Sequence, residues 1–165
     1  MKKLLVVLFS VALLGGTAIE GQSKNRPLQG VWQVVEVTLT GPNARVITIP
    51  QPRPNLTIIT ARHYCRVEVQ AEGPRPILAD VSKASADELR AVWGPFVGEA
   101  GTYEVTDANV ITLHPMASKN PAAMAPGAFS TYSYKLDGDT LRLTAQKNQN
   151  GPIANPATIK AVRIE

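Results

Sequence analysis

Between Leu28 and Glu165 the chain alternates short runs of β-branched and apolar residues with clusters of Gly, Pro, Asn and Asp. That punctuation leaves little room for anything but an antiparallel β architecture. The runs are Val31–Thr40, Val46–Ile49, Leu56–Thr60, Tyr64–Gln70, Thr102–Thr106, Val110–His114, Phe129–Leu136, Thr140–Ala145 and Thr158–Ile164. Asp137-Gly138-Asp139 between two of them is a strong hairpin signal, because glycine supplies the positive φ that a tight turn needs. Pro50, Pro52 and Pro54 cannot donate to a ladder, so they mark a stiff connection. The stretches "PMASKNPAAMAPG" and "QKNQNGPIANP" read as long loops. One helix interrupts the strands. Ser85 and Glu88 form a capping box, and Leu89, Val92 and Trp93 make one apolar face before Gly94-Pro95 stops it. About nine short strands, one short inserted helix and hairpin-type connections make an all-β pattern, that of an antiparallel barrel or sandwich.

The first residues carry a different signal. Lys2 and Lys3 precede an apolar run from Leu4 to Leu14, and small residues follow at Gly15, Gly16, Thr17 and Ala18. This is the layout of a secretory signal peptide. The apolar run is well short of the ~20 residues a spanning helix needs. The expected organisation is a signal peptide over 1–21, cleaved after Ala18 or Gly21, a flexible tail over 22–27, and one domain over 28–165. The mature protein is expected to be periplasmic or secreted, with no stable membrane insertion.

An exported chain meets an oxidising environment, yet Cys65 is the only cysteine. No internal disulfide can form, and stability must come from packing. Cys65 is read as a small buried apolar residue, the other reading being an exposed thiol. Of the 17 basic residues, Lys2 and Lys3 leave with the leader, and the remaining 15 face 13 acidic ones after cleavage at Ala18. The positive charges are scattered. Nucleic-acid binding needs a concentrated basic patch, so no nucleic-acid partner is expected.

Gly30-Val31-Trp32 opens the first strand and Arg163 lies in the last. Together with "HYCRVEV", the capped helix, "AGTYEV" and "LDGDTLRLT", these residues make the chain similar to a family of bacterial exported lipocalin-like proteins without a general assigned activity. The resemblance implies an all-β, antiparallel, up-and-down calycin-type barrel of about eight to nine strands with one short helix inserted between them, wide enough to be filled by side chains or to hold one small ligand. It also implies structural roles: Trp32 plugs the closed end, Arg163 lies across its ring, and Gly30 lets another segment approach. Typical lipocalins place their main helix after the barrel, and here it interrupts the strands, so ligand positions are not carried over.

The usual catalytic signatures are missing, among them a Gly-x-Ser-x-Gly elbow, a Gly-rich phosphate loop, and His-x-x-x-His or Cys-x-x-Cys spacing. Two histidines and one cysteine make a zinc or iron site improbable. No metal, cofactor or catalytic residue is assigned. The most informative polar stretch is "HYCRVEVQ". Its alternation puts His63, Cys65, Val67 and Val69 on one face and Tyr64, Arg66, Glu68 and Gln70 on the other. The favoured arrangement turns the apolar face inward, since alternation in half-buried strands ordinarily means core against solvent. In the other, Tyr64 and Arg66 enter a polar lumen and bind an anionic or hydroxylated ligand. Tyr132 and Tyr134 share a face, where they could line a pocket or simply pack. The candidate lumen residues are therefore Tyr64, Arg66, Tyr132, Tyr134 and His114.

The sequence favours a module binding a small apolar or amphipathic molecule in the barrel. The alternatives are a lipocalin-like isomerase, cyclase or hydrolase using lumen Tyr, His and Arg, and a filled barrel with no ligand. Glu36, Glu68 and Glu104 are the strand carboxylates. One of them buried beside His63 or His114 would favour catalysis. The sequence leaves the oligomeric state open.

Overall fold

The computed structural model describes residues 26–49, 55–70 and 73–165; the leader, its cleavage sites and the tail up to residue 25 lie outside the described residues. The strands are β1 (Gly30–Leu39), β2 (Arg45–Thr48), β3 (Asn55–Ile59), β4 (His63–Val69), β5 (Phe96–Asp107), β6 (Val110–Ser118), β7 (Ser130–Asp137), β8 (Thr140–Asn148), β9 (Gly151–Pro152) and β10 (Thr158–Arg163). Every neighbouring pair is antiparallel. The order β10-β1-β3-β4-β5-β6-β7-β8 closes on itself because β8 also pairs with β10. The result is a closed barrel of eight strands, with β2 added beside β1 and β9 beside β8. The helix α1 (Ala86–Trp93) sits between β4 and β5.

Inward-facing residues build one core from Leu28, Trp32, Val34, Ile59, Tyr64, Tyr103, Ile111, Leu141 and Ala161, with Ile49 beside them. One end is sealed. Trp32 is fully buried, and its indole N–H donates to Leu28 O at 2.9 Å, which holds the 3-10 turn Arg26–Leu28 beneath the barrel. Trp32 and Arg163 are register partners across β1 and β10. The Arg163 guanidinium carbon lies 4.1 Å from the indole centroid. Its nitrogens donate to Gln29 O and, at 2.7 Å, to Pro27 O, and Nε lies 3.3 Å from Asp139 Oδ1.

Gly30 explains how these groups come so close. Its φ is +144°, and a Cβ there would stand 2.5 Å from both Arg163 Nη1 and Glu165 O. Any side chain would expel the guanidinium or the terminal backbone that pairs with Val31. A small residue beside a large one at the start of β1 thus makes room for a third group that covers the large one.

β1 changes partner along one edge. It pairs with β3 from Gly30 to Trp32 and with β2 from Glu36 to Leu39. Asn55 spans the join. Its Oδ1 accepts from Val34 N at 2.6 Å and its Nδ2 donates to Val34 O at 3.2 Å, so a buried side-chain amide imitates a strand neighbour. Two buried hydrogen bonds on one amide contribute about 1–3 kcal/mol.

The strands depart from the sequence reading in three places. β5 begins at Phe96, well before Thr102, and β6 runs through Pro115 to Ser118 instead of ending at His114. Both extensions meet at a bulge between Ala100 and Gly101, where proline is tolerated. A Cβ on Gly101 would stand 2.1 Å from His114 O, so only glycine fits. β4 is turned opposite to the favoured arrangement: Tyr64 and Glu68 are buried and Arg66 half-buried, while His63 and Val67 are exposed and Cys65 is half-buried on the outer face. Tyr64 faces Gly101 across the ladder, which leaves space for its ring. A tyrosine ring and the stem of an arginine carry more apolar area than cysteine and valine do.

α1 has its capping box, with Ser85 N donating to Glu88 Oε2 at 2.8 Å and Glu88 N to Ser85 Oγ at 3.2 Å. Its apolar face is not buried, and Trp93 stays exposed, touching Phe96 edge-on. Gly94 keeps right-handed φ and ψ, so no left-handed glycine closes the helix. Lys119 Nζ takes over that role, donating to the carbonyls of Trp93, Gly94 and Phe96.

The closed end yields a first test. A guanidinium over an indole contributes roughly 0.5–2 kcal/mol, and its hydrogen bonds to two carbonyls add to this. Arg163→Ala should lower stability by about 2–3 kcal/mol in a denaturant titration. In a Trp93→Phe background, which leaves Trp32 as the sole emitter, it should also change the emission. Unchanged stability and emission would refute the stacking.

Candidate functional site

The inner face of β4 places Tyr64, Arg66 and Glu68 at successive inward positions. β5 follows the same alternation with Glu99, Gly101 and Tyr103, so Arg66 and Glu99 are cross-strand partners. β7 contributes Tyr132. Around these polar groups the wall is apolar, with Trp32, Val34, Ile111, Leu113, Leu141 and Ile159. The lumen keeps about 50 Å³ open to the centres of water-sized molecules. An apolar cavity of about 150 Å³ can take benzene, so this lumen is mostly filled and suits a small guest.

The polar groups are unequally satisfied. Tyr64 Oη donates to Glu99 Oε1 at 2.8 Å. Arg66 and Glu99 form no ion pair despite facing each other. Arg66 Nε is buried and has no hydrogen-bond partner among the described residues. Buried N–H groups are rarely left so. Glu68, also buried, accepts from Gln70 Nε2 at 3.2 Å.

Of the candidate residues, Tyr64, Arg66 and Tyr132 line this cavity. Tyr134 packs against the core nearer the closed end, and its hydroxyl donates to Ala108 O at 3.2 Å. Tyr103 does likewise, donating to Thr60 O at 2.7 Å. Both rings tie turns to the wall. His114 is not a lumen residue. It follows the inward Leu113, so alternation sends it outside, where Nε2 lies 3.2 Å from Glu104 Oε1. That pair is the His–carboxylate contact that would favour catalysis if buried, but its side chains are 44% and 60% exposed and it faces no cavity. Cys65 is a free thiol on the outer face, beside Ile58, Ala100 and Met116. Among the described residues no group of three or more His, Cys, Asp or Glu gathers to hold a metal, and no helix is long and apolar enough to cross a membrane.

The sequence reading passed over Glu99. The alternation Val97, Glu99, Gly101, Tyr103, Val105 was available to find it. The glycines Gly98 and Gly101 hid the strand, because glycine weakens the β signal.

Burial pushes the Tyr64 phenol far above the ordinary tyrosine value of 10.0, and its bond to Glu99 pushes it further. Burial also raises Tyr132 and Tyr103. Arg66 opposes the rise at Tyr64 and Tyr132. In each case the folded value exceeds the unfolded one. The stabilisation is therefore complete below pH 10.0 and is lost as pH climbs above it through the folded values. Alkaline titration of phenolate absorbance should show part of the four-tyrosine signal appearing only as the protein unfolds. Arg66→Met should delay it further. Reversible titration of all tyrosines near pH 10.0 in folded protein would contradict this burial.

A family model described as a lipocalin-like domain matches residues 29–161. No curated protein matches the chain. Among solved structures, a redesigned β-barrel is similar at 11% identity, with a TM-score of 0.44, over 88% of this chain and 98% of its own. The family match runs from the residue before Gly30 to Ala161 in β10, through every strand that closes the barrel, and the chain belongs to the lipocalin-like domain family.

Proposed function

We propose that this protein is exported and binds one small amphipathic molecule inside its barrel. The observation that carries the reading is the inner wall itself: an apolar lumen interrupted at one level by Tyr64, Arg66, Glu99 and Tyr132, with Arg66 Nε buried and unpartnered. Pockets of this make, apolar with a few convergent polar groups, bind small molecules. Catalysis is less well supported, because the histidine that has a carboxylate partner lies on the outside.

Isobutanol is a suitable probe, having a small apolar skeleton and one hydroxyl. Titrated into the Trp93→Phe protein, it should change Trp32 emission saturably. Ala161→Leu, which places a larger side chain in the cavity wall, should weaken binding at least fivefold. Cys65→Ser, in the outer groove, should leave it unchanged. Absence of saturation, or loss through Cys65→Ser alone, would reject the lumen as the site.

Export rests on Lys2, Lys3, the apolar run and the small residues after it. The intact mass of the exported protein should correspond to a start at Ile19 or Gln22. Recovery only of a species beginning at Met1, and only with membranes, would reject processing.

A further inference from the structure

The charges around the lumen narrow the kind of molecule it accepts. Arg66 stands between two carboxylates. Glu99 faces it across the β4–β5 ladder, and Glu68 is two residues along on the same inward face, buried at 6% exposure. An anionic ligand drawn to Arg66 would bring a third negative charge into a wall only partly open to water, where like charges repel. A cationic ligand drawn to Glu99 would meet Arg66 instead. A charged guest of either sign is penalised by the neighbour of the group that attracts it.

The unused hydrogen-bonding capacity is complementary. Arg66 Nε offers a buried N–H with no acceptor. Glu99 receives Tyr64 Oη on Oε1, and no hydrogen bond from the described residues reaches Oε2. One donor and one acceptor thus face each other from adjacent strands without pairing. A guest that presents an acceptor beside a donor satisfies both and leaves the charge balance untouched. An unpaired buried polar group costs free energy, so a guest lacking either half binds less well than one with both.

We infer that the lumen selects an uncharged molecule carrying a carbonyl oxygen beside an N–H or O–H, such as a small amide, lactam or hydroxyketone. Its carbonyl takes the Arg66 Nε proton in a hydrogen bond and its donor bonds Glu99 Oε2. The small aliphatic remainder lies against Trp32, Ile111 and Leu141. This rests on the lumen being the binding site and adds the ligand class. The limited free volume favours guests of few atoms.

Three probes with one branched carbon skeleton separate the possibilities: isobutyramide, isobutyrate and isobutylammonium. The readout is the Arg66 Nε–H resonance in the nitrogen-15 spectrum of the full protein, assigned by its absence in Arg66→Lys. Isobutyramide should shift it saturably, with an affinity at least tenfold above that for either ion. Glu99→Gln, close in size to the native residue, should raise isobutyrate affinity at least tenfold. Isobutyrate or isobutylammonium binding as tightly as isobutyramide to the native protein would overturn the inference, as would an Nε–H resonance that none of the probes moves. If isobutanol still saturates in that case, only the ligand class is lost. If it does not, the lumen reading fails too.

Discussion

The stack of Arg163 on Trp32 is the contact on which the rest of the barrel depends. It joins the first strand to the last, across nearly the full length of the domain, and it does so at the point of closure. The indole fills the end of the lumen, the guanidinium covers the indole, and the carbonyls of Pro27 and Gln29 hold the guanidinium in place. Each part needs the others. Without Gly30 the arginine has no room; without the arginine the indole ring loses its cover. With one end sealed in this way, a guest has to enter from the other.

With closure secured at that end, the middle of the lumen can be spent on polar groups. A core that held only aliphatic side chains would be more stable locally, since unpaired buried donors cost free energy. Instead β4 presents tyrosine, arginine and glutamate inward and leaves valine and cysteine outside. That inversion breaks a local rule of patterning, a departure that proteins make at functional or strained places. The fold alone would not choose between carrier, enzyme and filled barrel. The polarity of the wall, and the outward position of His114, are the observations that support the proposed binding role.

Much of the architecture was legible in the order of turns and β-rich runs. The Asp137-Gly138-Asp139 hairpin and the Ser85–Glu88 box each follow from short local patterns, and the meeting of Trp32 with Arg163 was implied by the family resemblance. What was not legible depended on partners far away in sequence. The orientation of β4 could not be read from its own alternation, because the choice is made by Gly101 opposite Tyr64. The early start of β5 and the passage of β6 through Pro115 both depend on a bulge that neither strand reveals alone. Asn55 looked like a loop residue after Pro54. Its role emerges only once β1 is seen to exchange one neighbour for another. Tyr134 and Tyr132 share a face, yet only Tyr132 reaches the cavity, since depth along the barrel is not encoded in alternation.

The exchange of partners along β1 has a consequence for how such a barrel can vary. Closure runs through β1, β3, β4, β5, β6, β7, β8 and β10, and β2 lies outside that circuit. Because Asn55 completes the edge of β1 with its own amide, the circuit does not rely on β2 for continuity at Val34. The turn over 40–44 is therefore a detachable module, whereas Ile49 beyond β2 stays fixed in the core. That turn can lengthen, shorten or acquire a new surface while the ring of strands keeps its register, because added loop length costs little free energy once both ends are fixed. A single buried amide thus divides the chain into a part that must be conserved in shape and a part that is free to be rewritten.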